Sequence, residues 1–358
     1  MNSNPDQSTP SPERRMNKAS KQPRHTRRVW VAGALAALCT TLLPAGISEA
    51  AAAQHPPVCD DPAYVVNLND DNVSVINTQT NQVVGSPIGV GDAPVAIAVD
   101  TARRRAYVAN SGDDTVSVID TATNQVVGSP INVGDDPFAV AVDQPRARAY
   151  VANANDDTVT VIDTRTNQVV GSSIPVGDGP DGIAVDTARR RAYVANGFDG
   201  TVTVINTVTN QPVGSPIGVG SGPVRVAVDQ PRARAYVTNI NDDNVSVINT
   251  VTNQLVGSPV GVGDAPIGVA VDQSRARAYV ANAGDDTVSV IDTRTNQVVG
   301  SPIGVGDTPF AVAVDQPSAR AYVTNSGDDN VSVIDTRTNQ VVGSPIGVGD
   351  NPVAIVVF

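Results

Sequence analysis

From residue 63 onward the chain is a series of short apolar runs separated by turn-forming residues. In one stretch, Val95–Val99 begins after Pro94 and Ala106–Asn110 carries a tyrosine. Thr115–Asp120 reads Thr-Val-Ser-Val-Ile-Asp, and Gln125–Val133 contains Gly128-Ser129-Pro130. Val, Ile and Thr alternating with polar residues, interrupted by Gly, Pro, Asn and Asp, predict strands rather than helices. The stretch therefore predicts four strands. Proline donates no ladder hydrogen bond, so the fourth strand belongs at a sheet edge. Pro87, Pro130, Pro216, Pro259, Pro302 and Pro345 all hold this place, with Ser173 the exception. The strand after Pro94 is then innermost, and its small residues Ala96 and Ala98 suit a crowded axis.

The pattern is an internal duplication. All seven tyrosines, Tyr64, Tyr107, Tyr150, Tyr193, Tyr236, Tyr279 and Tyr322, lie 43 residues apart. A strand-rich period of 40–45 residues is that of four-stranded propeller blades. The first set of strands, residues 63–90, lacks an inner strand, and residues 353–357 form an inner strand without outer partners. Pairing the two predicts an all-β, seven-bladed β-propeller of four-stranded antiparallel blades over 63–358, with one blade built from two distant segments.

Two of the tyrosines open a recognisable motif. Tyr236-Val237-Thr238-Asn239 and Tyr322-Val323-Thr324-Asn325 spell the sequence that names the YVTN-family β-propeller repeats. Tyr107–Asn110, Tyr150–Asn153, Tyr193–Asn196 and Tyr279–Asn282 carry alanine at the third place, and Tyr64–Asn67 carries valine. Residues 63–358 thus resemble that family, which implies a seven-bladed propeller, commonly exported or on cell surfaces. Some members resemble lactonases, and others resemble the haem-d1 domain of nitrite reductases. WD-type repeats are excluded, because Trp30 is the sole tryptophan and precedes the repeats.

Residues 1–53 read as an export signal. Seven basic residues (Arg14, Arg15, Lys18, Lys21, Arg24, Arg27 and Arg28) precede an apolar run from Val29 to Leu43, then small residues through Ala53. Thr26-Arg27-Arg28-Val29-Trp30 resembles a twin-arginine signal, so the expected route is Sec or twin-arginine and the destination secreted, periplasmic or cell surface. The alternative is an uncleaved membrane anchor, although the run is short against the ~20 residues of a spanning helix. Residues 54–62 form a short leader. Leu38 before Cys39 argues against lipidation, and cleavage near Ala50–Ala53 would leave Cys59 as a lone, inert thiol.

Composition narrows the chemistry. A net charge of −12 does not fit nucleic-acid binding. Two cysteines rule out a disulfide scaffold, a zinc ribbon and an iron–sulfur protein. No histidine, lysine or glutamate occurs after residue 55, so a Ser–His–Asp triad and histidine-ligated haem have no residues to use. The turns between second and third strands carry 13 aspartates, such as Asp113 and Asp114, and those before the inner strands carry 7, such as Asp92. One face of the disc is therefore acidic. The other takes every repeat-region arginine except Arg225, paired with aspartates such as Asp100 and Asp120 in solvated turns. The acidic residues are expected to close turns through side-chain to backbone hydrogen bonds. The competing reading is calcium capture by clustered carboxylates, but no copy has EF-hand spacing.

In a near-uniform repeat the departures carry the information. Asp181 stands where other copies have Val, Ile or Phe, and Arg225 where they have Ala or Gly. Gly197-Phe198-Asp199-Gly200 replaces the usual polar turn, and Ser221 replaces a recurrent aspartate. Asp181 and Arg225 fall on neighbouring inner strands, one residue apart, at the acidic end of the channel. They are either a local ion pair or, with Phe198, Asp199 and Ser221, a small ligand-binding site walled by Phe198. The expectation is an exported, monomeric, non-catalytic binding or scaffold module with no cofactor, its partner an envelope protein, polymer or small ligand. The alternative is a lactonase-like hydrolase or lyase using an Asp-bound divalent metal.

Overall fold

The computed structural model describes residues 62–358; the expected export signal over residues 1–53, Cys39 and Cys59 lie outside them. The chain forms seven antiparallel sheets arranged as the blades of a propeller. We number them by their inner strands: Pro94–Asp100 belongs to blade 2, Pro137–Asp143 to blade 3, Pro180–Asp186 to blade 4, Pro223–Asp229 to blade 5, Pro266–Asp272 to blade 6 and Pro309–Asp315 to blade 7. Blade 1 is the composite one. Its inner strand Pro352–Val357 pairs antiparallel with Pro62–Asn67, with Val65 opposite Ile355. Among the described residues no helix is long and apolar enough to cross a membrane.

The fourth strand differs from expectation. It is split into two-residue pieces, such as Gln125–Val126 and Ile131–Asn132, which both pair with Thr115–Asp120. The break is the Gly-Ser-Pro segment. Gly128 takes a φ of 75°, a left-handed conformation natural to glycine, and Pro130 cannot donate to a ladder. The edge is consequently short and interrupted, which discourages pairing with other chains.

Blades pack face to face, so the core is a set of layers between neighbours. In the layer between blades 2 and 3, Tyr107, Val116, Val118 and Ile131 meet Val140, Val151 and Ile162. The second strand of each blade is covered on both sides, which is why Ala-Tyr-Val-Ala is buried throughout instead of alternating. The tyrosine adds a tie. Tyr107 donates to Asn167 Oδ1 of the next blade at 2.9 Å, Tyr193 to Asn253 at 3.0 Å, and Tyr322 to Asn81 across the composite blade at 3.2 Å. Tyr64 makes the equivalent bond to Asn124. Burial and the adjacent aspartate push the hydroxyls of Tyr107, Tyr150, Tyr193, Tyr236, Tyr279 and Tyr322 up, those of Tyr150, Tyr279 and Tyr322 to about 12.

Candidate functional site

The aspartates of the acidic face hold the turns together. The first of each pair accepts the backbone N–H that leads into its own blade: Asp113 Oδ2 from Asp92 at 2.8 Å, Asp199 Oδ2 from Asp178 at 2.9 Å, Asp242 Oδ2 from Ser221 at 2.8 Å. The second reaches the next blade. Asp71 Oδ1 accepts from Ala93, Asp114 from Asp136, Asp157 from Gly179, Asp243 from Ala265, Asp286 from Thr308 and Asp329 from Asn351, all at 2.9–3.0 Å. At the junction of blades 4 and 5 the corresponding residue is Gly200, which has no carboxylate to offer. Among the described residues no three His, Cys, Asp or Glu side chains gather as a metal site.

The opposite face departs from the expected picture of solvated pairs. Asp100, Asp143, Asp186, Asp229 and Asp272 end their inner strands fully buried, each held by an arginine three residues on, with Nη1–Oδ2 distances of 2.8–3.1 Å. A second set is more open: Arg105 reaches Asp120 at 2.6 Å and Arg148 reaches Asp163 at 2.5 Å. Burial pushes the Asp120 carboxyl up, yet the N–H of Ala122 and the Arg105 charge outweigh it and leave it below its ordinary value. Arginine and aspartate on this face thus largely neutralise one another.

Asp181 and Arg225 meet at the acidic end of the channel. Arg225 Nη1 donates to the Asp181 backbone carbonyl at 2.5 Å, bridging blades 5 and 4. Its guanidinium carbon lies 5.6 Å from the Phe138 ring centroid and 5.9 Å from that of Phe310, within cation–π range of both. These rings stand on blades 3 and 7, two blades to either side. Below runs a cavity of about 150 Å³ lined by Ile97, Val140, Ile183, Val226, Val312 and Ile355 among other small and aliphatic residues, with Arg225 the charged member of the lining.

Local backbone explains the aim of this arginine. The inner strand of blade 5 is irregular between Pro223 and Val226, and the Arg225 N–H leaves the ladder to bond Thr238 Oγ1 at 3.2 Å. Thr238, the threonine of the Tyr-Val-Thr-Asn segment, also donates to the Ile267 carbonyl of blade 6 at 2.8 Å. Gly182 and Gly268 flank Arg225 at the same position of the neighbouring blades. A Cβ on Gly182 would collide with the Val224 carbonyl, and one on Gly268 would come within 2.6 Å of the Phe310 carbonyl.

The other predicted residues divide. Asp181 is 1% exposed, its carboxylate lying where a Cβ on Gly197 would be. Phe198 is 40% exposed and covers Gly179, a neighbour of Asp181 on the same mouth. Asp199 and Ser221 are occupied as turn ties, Ser221 Oγ accepting from Asn241 at 3.4 Å. Sequence reasoning missed Phe138, Phe310, Gly182 and Gly268. Their signal was present: the third inner-strand position reads Ala, Ala, Gly, Arg, Gly, Ala, Ala around the ring, with Phe138 and Phe310 placed symmetrically about the arginine.

Solved structures share the fold. The chain is similar to hydrazine synthase of Kuenenia stuttgartiensis (20% identity, TM-score 0.65, covering 74% of this chain and 89% of that one). It is also similar to a functionally unknown protein from Desulfotomaculum acetoxidans (16%, 0.72, 83% and 99%) and to apo AztD from Citrobacter koseri (12%, 0.64, 83% and 98%). No protein-family model matches the chain, and no curated protein does. At these identities the likeness establishes a seven-bladed β-propeller and stops there.

Proposed function

We propose that this chain is an exported, non-catalytic propeller of the YVTN-repeat type that serves as a binding module at the cell envelope or outside the cell. One observation carries the reading: in a ring of near-equal blades, the single cation of the acidic face is drawn to the channel mouth and set between two phenylalanine rings over an aliphatic cavity. Such a site has a place for a small apolar body and a polar or anionic head at Arg225. Convergent polar groups over an apolar pocket are the usual form of a small-ligand site. Asp71, Asp113, Asp114 and Asp156 of the acidic turns each give a carboxylate oxygen to a backbone N–H, which supports a structural role for the acidic turns.

The test is native mass spectrometry with metal analysis of the full chain from its own host, compared with Arg225→Ala and with a turnover screen on lactones. A co-purifying small molecule lost in the variant supports the reading. Stoichiometric divalent metal with turnover that Asp181→Ala abolishes would replace it with the hydrolase reading.

A further inference from the structure

Away from the channel mouth, one place breaks the ion-pair pattern of the opposite face. In five blades the buried aspartate that ends the inner strand is bound by an arginine three residues later. Four of those arginines also donate to a glutamine carbonyl of the next blade: Arg103 to Gln144 at 3.4 Å, Arg189 to Gln230 and Arg232 to Gln273 at 3.1 Å, Arg275 to Gln316 at 3.4 Å. Blade 7 has Gln316-Pro317-Ser318 where blades 3 and 5 have Gln-Pro-Arg. Asp315 is nonetheless retained, 4% exposed, with Oδ1 accepting the Ser318 N–H at 3.0 Å. Its Oδ2 is buried, and among the described residues it has no hydrogen-bond partner. Beside it opens a cavity of about 190 Å³ lined by Val314, Asp315, Gln316, Pro317, Val357 and Phe358. The nearest arginine along the chain, Arg320, is engaged with Asp335 at 2.5 Å.

A buried carboxylate oxygen without a donor is costly, and the surrounding scaffold is the one that receives a guanidinium in the sibling blades. We infer that this pocket between blades 7 and 1 is a receptor for a guanidinium group from outside the chain, with Asp315 as its anchor. Val314, Pro317, Val357 and Phe358 line the pocket and offer apolar walls to an aliphatic stem. The ligand class is a guanidinium on a short alkyl chain, either a free small molecule or the arginine side chain of a peptide.

The experiment titrates the full chain with agmatine and with N-acetylarginine amide, using N-acetylcitrulline amide as the uncharged control, and reads calorimetric binding and the thermal midpoint. Saturable binding of either cation with a raised midpoint, and none by the citrulline compound, is the expected result; the stronger of the two probes identifies the source. Ser318→Arg restores the sibling residue, should fold at least as well, and should weaken binding at least ~10-fold by filling the pocket, a change of about 1.4 kcal/mol. Asp315→Asn should weaken it similarly. No saturation by either cation, or unchanged binding in Ser318→Arg, overturns the inference.

Discussion

The junction between blades 2 and 3 and that between blades 4 and 5 perform the same task with different parts. Both carry the tyrosine bond, Tyr107 to Asn167 in one and Tyr193 to Asn253 in the other, and both bury an aliphatic layer. At the first, Asp114 also accepts the Asp136 N–H across the gap at 2.9 Å. At the second, Gly200 leaves that tie out, and the crossing is made deeper, by Arg225 to the Asp181 carbonyl. A repeat protein gains closure from equal ties and specificity from an unequal one. The place where a local rule is broken is also the place where a charged side chain enters an apolar channel.

The harshest way to break the comparison is to remove a junction altogether. Deleting Asn351–Phe358 takes away buried Val353 and Ile355 and the edge-on contact of Phe358 with Tyr64 at 5.0 Å between ring centroids. At roughly 1.5–3 kcal/mol per buried side chain, plus the lost ladder, the deletion consumes most of the ~5–15 kcal/mol of a typical domain. Loss of the cooperative denaturant transition is expected by circular dichroism. A soluble truncate that still unfolds cooperatively would show that the composite blade is dispensable.

Alkali loosens several junctions together. The hydroxyls of Tyr150, Tyr279 and Tyr322 are raised in the folded state, so their contribution is complete below the unfolded value of ~10 and is lost as pH climbs through about 12. Phenolate absorbance should therefore appear late and together with unfolding. Acid acts through the opposite sign: Asp120, Asp163, Asp272, Asp292 and Asp335 are lowered, so their contribution holds above ~4 and fades as pH falls further. Tyrosines that ionise near their ordinary value while the fold persists would mean the inter-blade bonds are absent in solution.

Single substitutions separate the two junctions. Arg225→Ala removes a charge-assisted bond, worth ~1.5–3 kcal/mol, and two ring contacts, so a loss of about 2–3 kcal/mol is expected from chemical denaturation. Asp114→Ala removes one neutral-to-charged bond in a solvent-exposed turn and should cost only ~1 kcal/mol. If Asp114→Ala were the more damaging, the deeper crossing at blades 4 and 5 would be ornamental to stability.

Blade number, strand order and the composite blade were legible because a 43-residue period fixes them through tyrosine spacing and edge prolines. The broken outer strand was less so: Gly128 and Pro130 marked an edge, but whether a ladder survives them depends on φ at Gly128. Asp181 and Arg225 stood out as departures from uniform columns. Phe138 and Phe310 did not, since phenylalanine is an ordinary member of its column and becomes part of the mouth only when a ring of seven sets it two blades from Arg225. The buried Asp100 series was misread as solvated because sequence shows an Asp–Arg pair but not which partner faces the core.

The gentlest test restores the omitted tie. In the six sibling turns the aspartate sits at a left-handed φ of 52–56°, and Gly200 already takes 62°, so Gly200→Asp meets a backbone that its siblings tolerate. Its carboxylate would reach toward the N–H of Gly222, as Asp157 reaches Gly179 in the preceding junction. The new bond contributes ~1 kcal/mol, offset in part by the cost of a Cβ at positive φ, leaving a gain of about 0.5 kcal/mol. In an Arg225→Ala background the gain should be larger, because the two crossings then no longer share the load, and neighbouring ties couple. An equal gain in both backgrounds would mean that the turn and the channel mouth act independently, and that Arg225 and the restored tie do not share the holding of blades 4 and 5.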